Sequence, residues 1–348
     1  MNILFHLGHP AHYHLFKNVI DYLKNNGDEV YILIKKKDVL EELLISSKID
    51  YYNILPEGRK NSKVGIAIGQ IKQDAAVFKF VIRNKIDLLL GTSVSITHVG
   101  KLLKIPSIVF NEDDADVVPL FSYLSYPFAS LIVSPQCCNN HQWNKKTLFY
   151  NSYHELAYLH PNNFIPNKDI LTKYIKNKQQ YFILRFSSLN AHHDSGVSGI
   201  GNKLASEIIS ILKPHGQIII NSEREIESDL EQYRMNINPI DMHHLLAFAK
   251  IYIGDSQTMA AEAGILGTPF LRYNDFVGKI GYLNELEKDF ELGYGFKTNQ
   301  ANQLKNRLNE LLYRNNLEKE WALRRQLMLE TKHDFSNFIF TLVEYIKS

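Results

Sequence analysis

Residues 251–272 contain the side-chain types and spacing that most directly suggest binding chemistry. An apolar run ends at Gly254, and Asp255 or Ser256 can cap a helix that begins just after it. The free amides of a helix N-terminus carry partial positive charge and suit a phosphate or diphosphate. Glu262, one turn further on, can accept two hydrogen bonds from a ribose diol. The motif therefore predicts a nucleoside diphosphate site, although a plain helix cap with a solvent-facing glutamate has the same pattern. The candidate substrate-binding residues of this motif are Asp255, Ser256, Gln257, Thr258 and Glu262.

Polar residues also follow other predicted strands of the same half of the chain. Arg185 ends one strand, where an arginine can clamp a diphosphate with two hydrogen bonds or form an ordinary ion pair. Ser222 and Arg224 follow the next strand. Because ligands of parallel sheets bind outside the carboxyl ends of the strands, all three join the candidate substrate-binding set. His193 beside Asp194 is a further polar pair, for which a solvated turn is an equal alternative.

Three histidines, His9, His12 and His14, lie where the first predicted strand gives way to the first helix. Histidine is a common metal ligand, but His12 and His14 are two residues apart and so lie on different sides of a helix. No carboxylate or thiol follows at a helpful spacing. The sequence therefore predicts no metal site here, and the alternative to a catalytic role is that these histidines cap the helix or orient one another.

The elements that must position these residues alternate between short apolar runs and amphipathic helices. Asn2–Leu7 is a predicted strand, and residues 12–25 have the apolar spacing of a helix. The alternation continues to Ser107–Phe110 and restarts at Tyr181–Phe186. Strands that alternate with helices predict parallel βαβ units. Two long helical segments, about 302–330 and Phe335–Lys347, are predicted to close the chain.

The segment 160–168, HPNNFIPNK, has two prolines and no periodicity, which is typical of a linker. We therefore predict a first α/β domain over residues 1–160, a linker over 161–168 and a second α/β domain over 169–330. The final helical segment, 331–348, is expected to pack back on the first domain.

Composition agrees with a folded two-domain protein. At about 150 residues per domain, 348 residues correspond to two domains. Hydrophobic residues are 45% and charged residues 22% of the chain, which excludes a disordered protein. The net charge of +2 disfavours a protein that coats nucleic acid. The cysteines, Cys137 and Cys138, are adjacent and fit a reducing cytoplasm.

Membrane signals in the sequence are weak. The opening residues lack the basic stretch of a secretory leader, and no stretch reaches the ~20 apolar residues of a membrane span. The longest charge-free stretch is 117–133, which contains Pro119 and Pro127. We predict a buried helix there; the alternative is a patch that rests on a membrane surface. The expected location is cytoplasmic, with a peripheral contact at the inner face of the membrane left open.

The 251–272 motif is similar to the donor-site motif of GT-B fold enzymes. It resembles that of the non-hydrolysing UDP-GlcNAc 2-epimerases and of the peptidoglycan GlcNAc transferase, with Asp255, Ser256 and Glu262 in register. Gln257 and Thr258 replace two glycines of the epimerase pattern. Taken whole, the chain resembles a prokaryotic domain-of-unknown-function family with a GT-B-like fold, through the stretches GHPAHYHLFKN, ELAYLHP, AHHD, NSER and GDSQTMAAEAGILGTP.

This resemblance implies an α/β, GT-B-like fold of two Rossmann-like domains, with a cleft between them and C-terminal helices. The first domain would hold the acceptor and the second the nucleotide-sugar donor. In sugar transferases of this fold, a histidine at the start of the first helix takes the proton from the acceptor hydroxyl. Its distance from the glycine that ends the helix, here Gly27, makes His12 the candidate catalytic base and His9 its competitor. By the same resemblance, Met242 and His243 are candidates beside the nucleotide base.

The implied function is a metal-independent, inverting glycosyltransferase of surface-polysaccharide synthesis. Its donor would be a nucleotide sugar, UDP-linked by expectation, and its acceptor a glycan or a lipid-linked sugar. No cofactor and no nucleic-acid partner is expected, and the oligomeric state is left open. A 2-epimerase is the first alternative, although Thr92 stands where those enzymes have an aspartate and Glu112 is shifted in register from one of their acids. The second alternative is a non-catalytic nucleotide-sugar-binding protein.

Overall fold

The computed structural model describes residues 1–35, 38–55, 63–187 and 199–348. It divides into two compact units, of which the first comprises Met1–Tyr158 and His333–Ser348 and the second Leu159–Lys332. His193 and Asp194 lie outside the described residues.

The elements alternate between strands and helices through most of the chain. The first part contains β1 (Asn2–Leu7), α1 (Pro10–Asn25), β2 (Glu29–Ile34), α2 (Asp38–Ser46), β3 (Tyr52–Asn53), α3 (Lys63–Arg83), β4 (Leu88–Gly91), α4 (Val94–Leu103), β5 (Ser107–Phe110), α5 (Pro119–Ser125), β6 (Leu131–Pro135), β7 (Thr147–Tyr150) and α6 (Leu156–Leu159). The second part contains β8 (Tyr181–Phe186), α7 (Asn202–Leu212), β9 (Gln217–Ser222), α8 (Met242–Phe248), β10 (Ile251–Gly254), α9 (Gln257–Leu266), β11 (Phe270–Tyr273), α10 (Gly281–Lys288), β12 (Gly293–Phe296), α11 (Ala301–Leu312) and α12 (Leu317–Thr331). Helix α13 (Phe335–Lys347) returns to the first unit.

The first unit contains a parallel sheet of seven strands in the order β3-β2-β1-β4-β5-β6-β7. Strand β1 is central, because Phe5 pairs in register with Ile32 of β2 on one side and with Leu90 of β4 on the other. The strands are apolar on both faces, as expected where helices cover a parallel sheet. The strand order reverses between β1 and β4, so this unit has its switch point there.

The second unit contains a parallel sheet of five strands in the order β12-β11-β10-β8-β9. Its order reverses between β8 and β10, and Gly254 of β10 pairs in register with Arg185 of β8. Beyond β9, a single bridge joins Ile220 to Arg234. The two parallel α/β sheets confirm the predicted fold class.

Helix α1 shows how the sequence fixes the local structure of the first unit. Pro10 occupies its first turn, where the fixed φ angle and the missing N–H are tolerated. His9 is the N-cap, and its side chain accepts a hydrogen bond from the amide of Ala11. The predicted apolar positions are all buried: Leu15, Phe16, Val19, Ile20 and Leu23.

The prediction of one buried helix over 117–133 is wrong. The segment forms the short helix α5 and then enters strand β6. Pro119 is tolerated at the start of α5, whereas Pro127 has no N–H with which to continue the helix. Large apolar side chains of this segment are exposed, among them Leu120 and Tyr123.

The predicted helix over about 302–330 is also interrupted. Helix α11 ends at Leu312, and α12 begins at Leu317 after Asn316, whose φ of 60° lies in the left-handed region. Asparagine tolerates that conformation better than most residues, which explains a break at this position. Across the described ranges, no helix combines the length and apolar character needed to cross a membrane.

Candidate functional site

The switch point of the second sheet brings two predicted strand ends side by side. Strand β8 ends at Phe186 and β10 ends at Gly254, and the two strands are paired neighbours. In open parallel α/β sheets, ligands bind in the crevice outside the carboxyl ends of the strands at such a point. The candidate site of this unit therefore lies around residues 185–187 and 254–258.

Helix α9 begins at this point with its amides facing out of the sheet. Ser256 is the N-cap, and its hydroxyl accepts a hydrogen bond of 3.4 Å from the amide of Met259. Gln257 and Thr258 form the first turn, are half-buried, and no acidic residue accompanies them there. The positive end of the helix dipole is therefore not neutralised within its own first turn, which favours an anionic ligand.

A buried hydroxyl lies directly beside this helix start. A side chain at Gly254 would collide with the Tyr252 hydroxyl and would come within 2.9 Å of the Arg185 carbonyl oxygen, so the chain needs glycine here. Tyr252 is fully buried, and its hydroxyl has no hydrogen-bond partner among the described residues. Burial raises the pKa of Tyr252, so the hydroxyl keeps its proton and can donate it. Tyr252 is not among the predicted site residues, because an isolated tyrosine in a strand has no functional signature.

Glu262 and His243 form a buried pair behind the first turn of α9. His243 Nε2 lies 3.0 Å from Glu262 Oε1, and both side chains are buried. Met242 and His243 are the first residues of α8, so this helix start faces the same carboxylate. The structure therefore brings together the residue predicted for the ribose and one of the two residues predicted for the base.

Asp255 is engaged within the protein. Its carboxylate accepts hydrogen bonds from the Ser187 amide at 2.6 Å, the Ser187 hydroxyl at 2.9 Å and the Ile200 amide at 3.2 Å. Arg224 Nη2 lies 3.2 Å from the same group. Burial raises the pKa of Asp255, while the Ser187 amide and the Arg224 charge oppose that shift. Its contacts hold the loops around the strand ends.

Arg185, Ser222 and Arg224 also have partners within this unit. The Arg185 guanidinium donates from one terminal nitrogen to Asn221 and from the other to Glu223. Ser222 forms a local turn, in which its hydroxyl donates to the Arg224 carbonyl at 2.7 Å and accepts from the Arg224 amide at 3.2 Å. A diphosphate contact by Arg185 would therefore require the ion pair with Glu223 to open.

The switch point of the first sheet holds His12. His12 Nδ1 lies 3.1 Å from the Gly8 amide and 2.6 Å from Thr92 Oγ1, so it joins the ends of β1 and β4. When Gly8 donates, Nδ1 holds the lone pair and Nε2 the proton. When Nδ1–H donates to Thr92, Nε2 holds the lone pair and can take a proton. His9 is exposed and caps α1, accepting from the Ala11 amide at 3.2 Å.

The end of β4 approaches β1 unusually closely. Gly91 has a φ of 148°, and a Cβ there would lie 2.5 Å from the His6 carbonyl oxygen. The His6 side chain is buried, with Gln73 Nε2 at 3.3 Å from its Nε2. Burial, and next the charge of Lys35, lower the pKa of His6 to about 3, so this histidine is neutral.

A second group of titratable side chains lies at the end of β5. Glu112 Oε2 is 3.4 Å from His154 Nδ1. Burial and then the negative charge of Glu155 raise the pKa of Glu112 well above its usual range. Burial lowers the pKa of His154 to about 3 and raises that of Tyr150. Perturbed carboxyl groups at a strand end can do acid–base chemistry. In the part of the chain that the structure describes, no group of three or more His, Cys, Asp or Glu could hold a metal.

Solved structures with the same fold include sugar-nucleotide enzymes. The UDP-GlcNAc 2-epimerase from Neisseria meningitidis bound to UDP-GlcNAc is 14% identical and matches over 95% of this chain and 99% of that one, with a TM-score of 0.64. S. aureus MnaA in its UDP co-structure is 13% identical, over 99% and 96%, with a TM-score of 0.70. The spinosyn rhamnosyltransferase SpnG complexed with spinosyn aglycone is 14% identical, over 98% and 100%, with a TM-score of 0.65.

These TM-scores establish the shared GT-B fold, and identities of 13–14% establish nothing finer. A search of curated protein sequences gives no match. The model of a family described as "Protein of unknown function (DUF354)" matches residues 1–332. Since the match covers nearly the whole chain, this protein belongs to the DUF354 family.

Proposed function

We propose that this protein is a GT-B glycosyltransferase that moves a sugar from a nucleotide-sugar donor, UDP-linked by expectation, to a glycan or lipid-linked acceptor. The observation that carries the proposal is the Tyr252 hydroxyl, which is buried beside the start of α9. A buried hydroxyl without a partner costs about 1–3 kcal/mol, a cost that a bound ligand can offset. Neighbours of the fold bound to UDP-GlcNAc and to UDP support a sugar nucleotide as that ligand.

The donor would lie at the switch point of the second sheet. Its diphosphate would accept hydrogen bonds from the amides of Gln257 and Thr258 and from the Tyr252 hydroxyl. Fixed dipoles of this kind stabilise the charge that develops on a leaving diphosphate. Glu262, oriented by His243, would accept hydrogen bonds from the ribose diol. Binding of the diphosphate would not require a metal ion, because backbone amides and a hydroxyl supply the hydrogen-bond donors.

The acceptor would lie at the switch point of the first sheet. His12 would take the proton of the acceptor hydroxyl at Nε2. This role requires Nδ1–H to donate to Thr92, so the hydrogen bond from the Gly8 amide to Nδ1 would have to open. The acceptor oxygen would then bond to the anomeric carbon as the nucleoside diphosphate leaves with the electron pair, so the configuration would invert. As part of the same proposal, the reaction would belong to surface-polysaccharide synthesis at the cytoplasmic side.

A second candidate is an epimerase-like acid–base reaction on the same nucleotide sugar. Glu112, with a raised pKa at the end of β5 beside Glu155, favours it. Thr92 disfavours it, because it places a hydroxyl where an aspartate would be needed. Turnover of the sugar nucleotide with no acceptor, and with retention of the nucleotide–sugar bond, would identify this reaction.

A thermal unfolding assay with UDP, GDP and CMP compounds and their sugars tests the proposal. A ligand at about 100 times its Kd adds about 2.7 kcal/mol, which raises the Tm of a unit of this size by about 5–10 °C. Glu262→Gln should lose most of that shift, whereas the control Glu285→Gln, which alters an ion pair with Lys332, should keep it. The proposal is wrong if no compound shifts the Tm or if both variants respond as the wild type does. Binding with no turnover of any donor would instead indicate a non-catalytic binding protein.

A further inference from the structure

An exposed apolar surface lies on the first unit. It comprises Leu102 at the end of α4, Leu120, Tyr123 and Leu124 on α5, and Phe128 just after that helix. Leu102 is 70% and Tyr123 63% exposed. Single exposed apolar residues are ordinary, whereas several together mark an interaction surface. We call this set the α4–α5 surface.

Contacts within the first unit show that these residues form one surface. His98 of α4 donates from Nε2 to the Leu124 carbonyl at 2.8 Å, and its ring packs edge-on against Phe128 with centroids 5.0 Å apart. Leu102 lies one helical turn beyond His98, on the same face of α4. The Tyr123 ring packs edge-on against Trp143 at 5.2 Å. Two helices and the segment His141–Lys146 therefore meet here.

The segments that carry the apolar side chains of the α4–α5 surface contain four lysines. Residues 88–111 and 117–154 contain Lys101, Lys104, Lys145 and Lys146 but no aspartate or glutamate. Lys146 Nζ donates to the carbonyls of Tyr126 and Pro127, at the base of α5. Burial, and next the charge of Lys101, lower the pKa of Lys146. Two carboxylates border the surface and each lies against a histidine: Asp74 Oδ2 is 2.8 Å from His98 Nδ1, and Asp116 Oδ2 is 2.7 Å from His141 Nε2.

We propose that the α4–α5 surface binds the surface of a lipid bilayer that contains anionic lipids. Aliphatic and aromatic side chains would enter the boundary between headgroups and acyl chains, and Tyr123 and Trp143 have the amphipathic rings that favour that depth. The lysines would contact the lipid phosphates, each adding favourable energy near a negative surface. An acidic protein would match the lysines but not the exposed leucines between them. The inference concerns the first unit alone and does not depend on nucleotide binding.

Co-sedimentation of the full-length protein with vesicles, without nucleotide, tests the proposal. Vesicles of equal parts phosphatidylcholine and phosphatidylserine should bind the wild type, and phosphatidylcholine vesicles should bind it much more weakly. The double variant Lys101→Gln/Lys145→Gln should bind the anionic vesicles about thirtyfold more weakly, about fivefold for each lysine. Leu102→Ser/Tyr123→Ser should lose at least about tenfold in affinity for the same vesicles.

Matched controls lie on α12 of the second unit, where Leu323 is 68% exposed and Lys319 is also exposed. Leu323→Ser and Lys319→Gln should bind vesicles as the wild type does. The proposal is overturned if the wild type does not bind anionic vesicles, or if the α4–α5 variants bind as well as the controls. It is also overturned if light scattering shows a dimer that Leu102→Ser/Tyr123→Ser dissociates, because the occupant would then be a second copy of the chain. Since nucleotide is absent throughout, failure here leaves the proposed function untouched.

Discussion

Replacing Tyr252 by phenylalanine is expected to weaken nucleotide binding while strengthening the ligand-free second unit. Tyr252 is fully buried on β10, and its hydroxyl has no hydrogen-bond partner among the described residues. The substitution removes that hydroxyl and keeps the packing of the ring. Most changes at a binding residue leave stability unchanged or reduce it, so a gain in stability together with a loss of affinity is a specific signature.

The expected changes in stability and affinity follow from the hydrogen bonding of the Tyr252 hydroxyl. Leaving it buried and unpaired costs about 1–3 kcal/mol, so Tyr252→Phe should raise the free energy of unfolding by about 1 kcal/mol. A hydrogen bond from a hydroxyl to a charged phosphate contributes about 1.5–3 kcal/mol. Losing it should raise the Kd for the nucleoside diphosphate about tenfold to a hundredfold.

Urea unfolding followed by the fluorescence of Trp321 measures the stability of the second unit. The chain has two tryptophans, so Trp143→Phe leaves Trp321 as the only reporter. Trp321 is fully buried and donates to the Leu292 carbonyl at 2.7 Å, which makes its emission sensitive to unfolding of this unit. Titration calorimetry on the same proteins gives the nucleotide affinity.

Tyr181→Phe is the matched control, because Tyr181 is also a buried strand tyrosine of this unit. Its hydroxyl donates to the Leu245 carbonyl at 2.6 Å. Removing it should lower the free energy of unfolding by about 1 kcal/mol and leave the nucleotide affinity unchanged. If Tyr252→Phe is as destabilising as Tyr181→Phe and binds nucleotide normally, the hydroxyl serves the fold and the reasoning is refuted.

Three further predictions concern stability and turnover. The pKa values of His6 and His154 are lowered from 6.5 to about 3, so both side chains are neutral in the folded protein. Each histidine should therefore reduce the stability of the first unit as the pH falls below about 6.5, by about 1.4 kcal/mol per pH unit. In urea titrations at about pH 7.5 and 5.5, the wild type should lose about 1.4 kcal/mol more than His6→Asn, and an equal loss would contradict the assignment. Asp255→Ala should lower the unfolding free energy of the second unit by about 3 kcal/mol or more, because it leaves the buried amides of Ser187 and Ile200 without their acceptor and removes the carboxylate that faces Arg224. A change below about 1 kcal/mol would show that this network is not structural. His12→Asn should lower the rate at which nucleoside diphosphate is released from the sugar nucleotide about a hundredfold or more, with unchanged nucleotide affinity. Thr92→Val should lower the same rate, because Thr92 contacts His12 Nδ1. Full activity of both variants would exclude His12 as the base.

The sequence predicts the α/β architecture well where strands are buried on both faces. Largely apolar runs such as Asn2–Leu7 and Ile251–Gly254 are typical of strands in a helix-covered parallel sheet, and the structure has both strands with the predicted bounds. Strand β6 was missed because 117–133 is uniformly apolar and shows no period that separates strand from helix. Strands β7 and β12 have four residues each and lie at sheet edges, where the apolar signal is short.

The candidate site was predictable only where its contacts join residues that are close in sequence. A cap followed by a helix is encoded in neighbouring residues, so the start of α9 was predicted closely. The partner of His12 lies 80 residues away in Thr92, and the partner of Arg185 lies 38 residues away in Glu223. Such pairs depend on which strands become neighbours, and a single sequence does not show that. Tyr252 is functional in our account only because Gly254 leaves room for its hydroxyl.

Hydrogen exchange of the peptide that covers 254–263 tests the central claim most directly. The amides of Gln257 and Thr258 lie in the first turn of α9, where no helical carbonyl precedes them, so they should exchange rapidly in the free protein. At about 100 times its Kd, a bound nucleoside diphosphate should slow their exchange by up to about a hundredfold. Glu262→Gln should reduce that protection at the same ligand concentration. Protection that appears only outside this peptide, or no protection by UDP, GDP or CMP compounds, would contradict the assignment of the donor site.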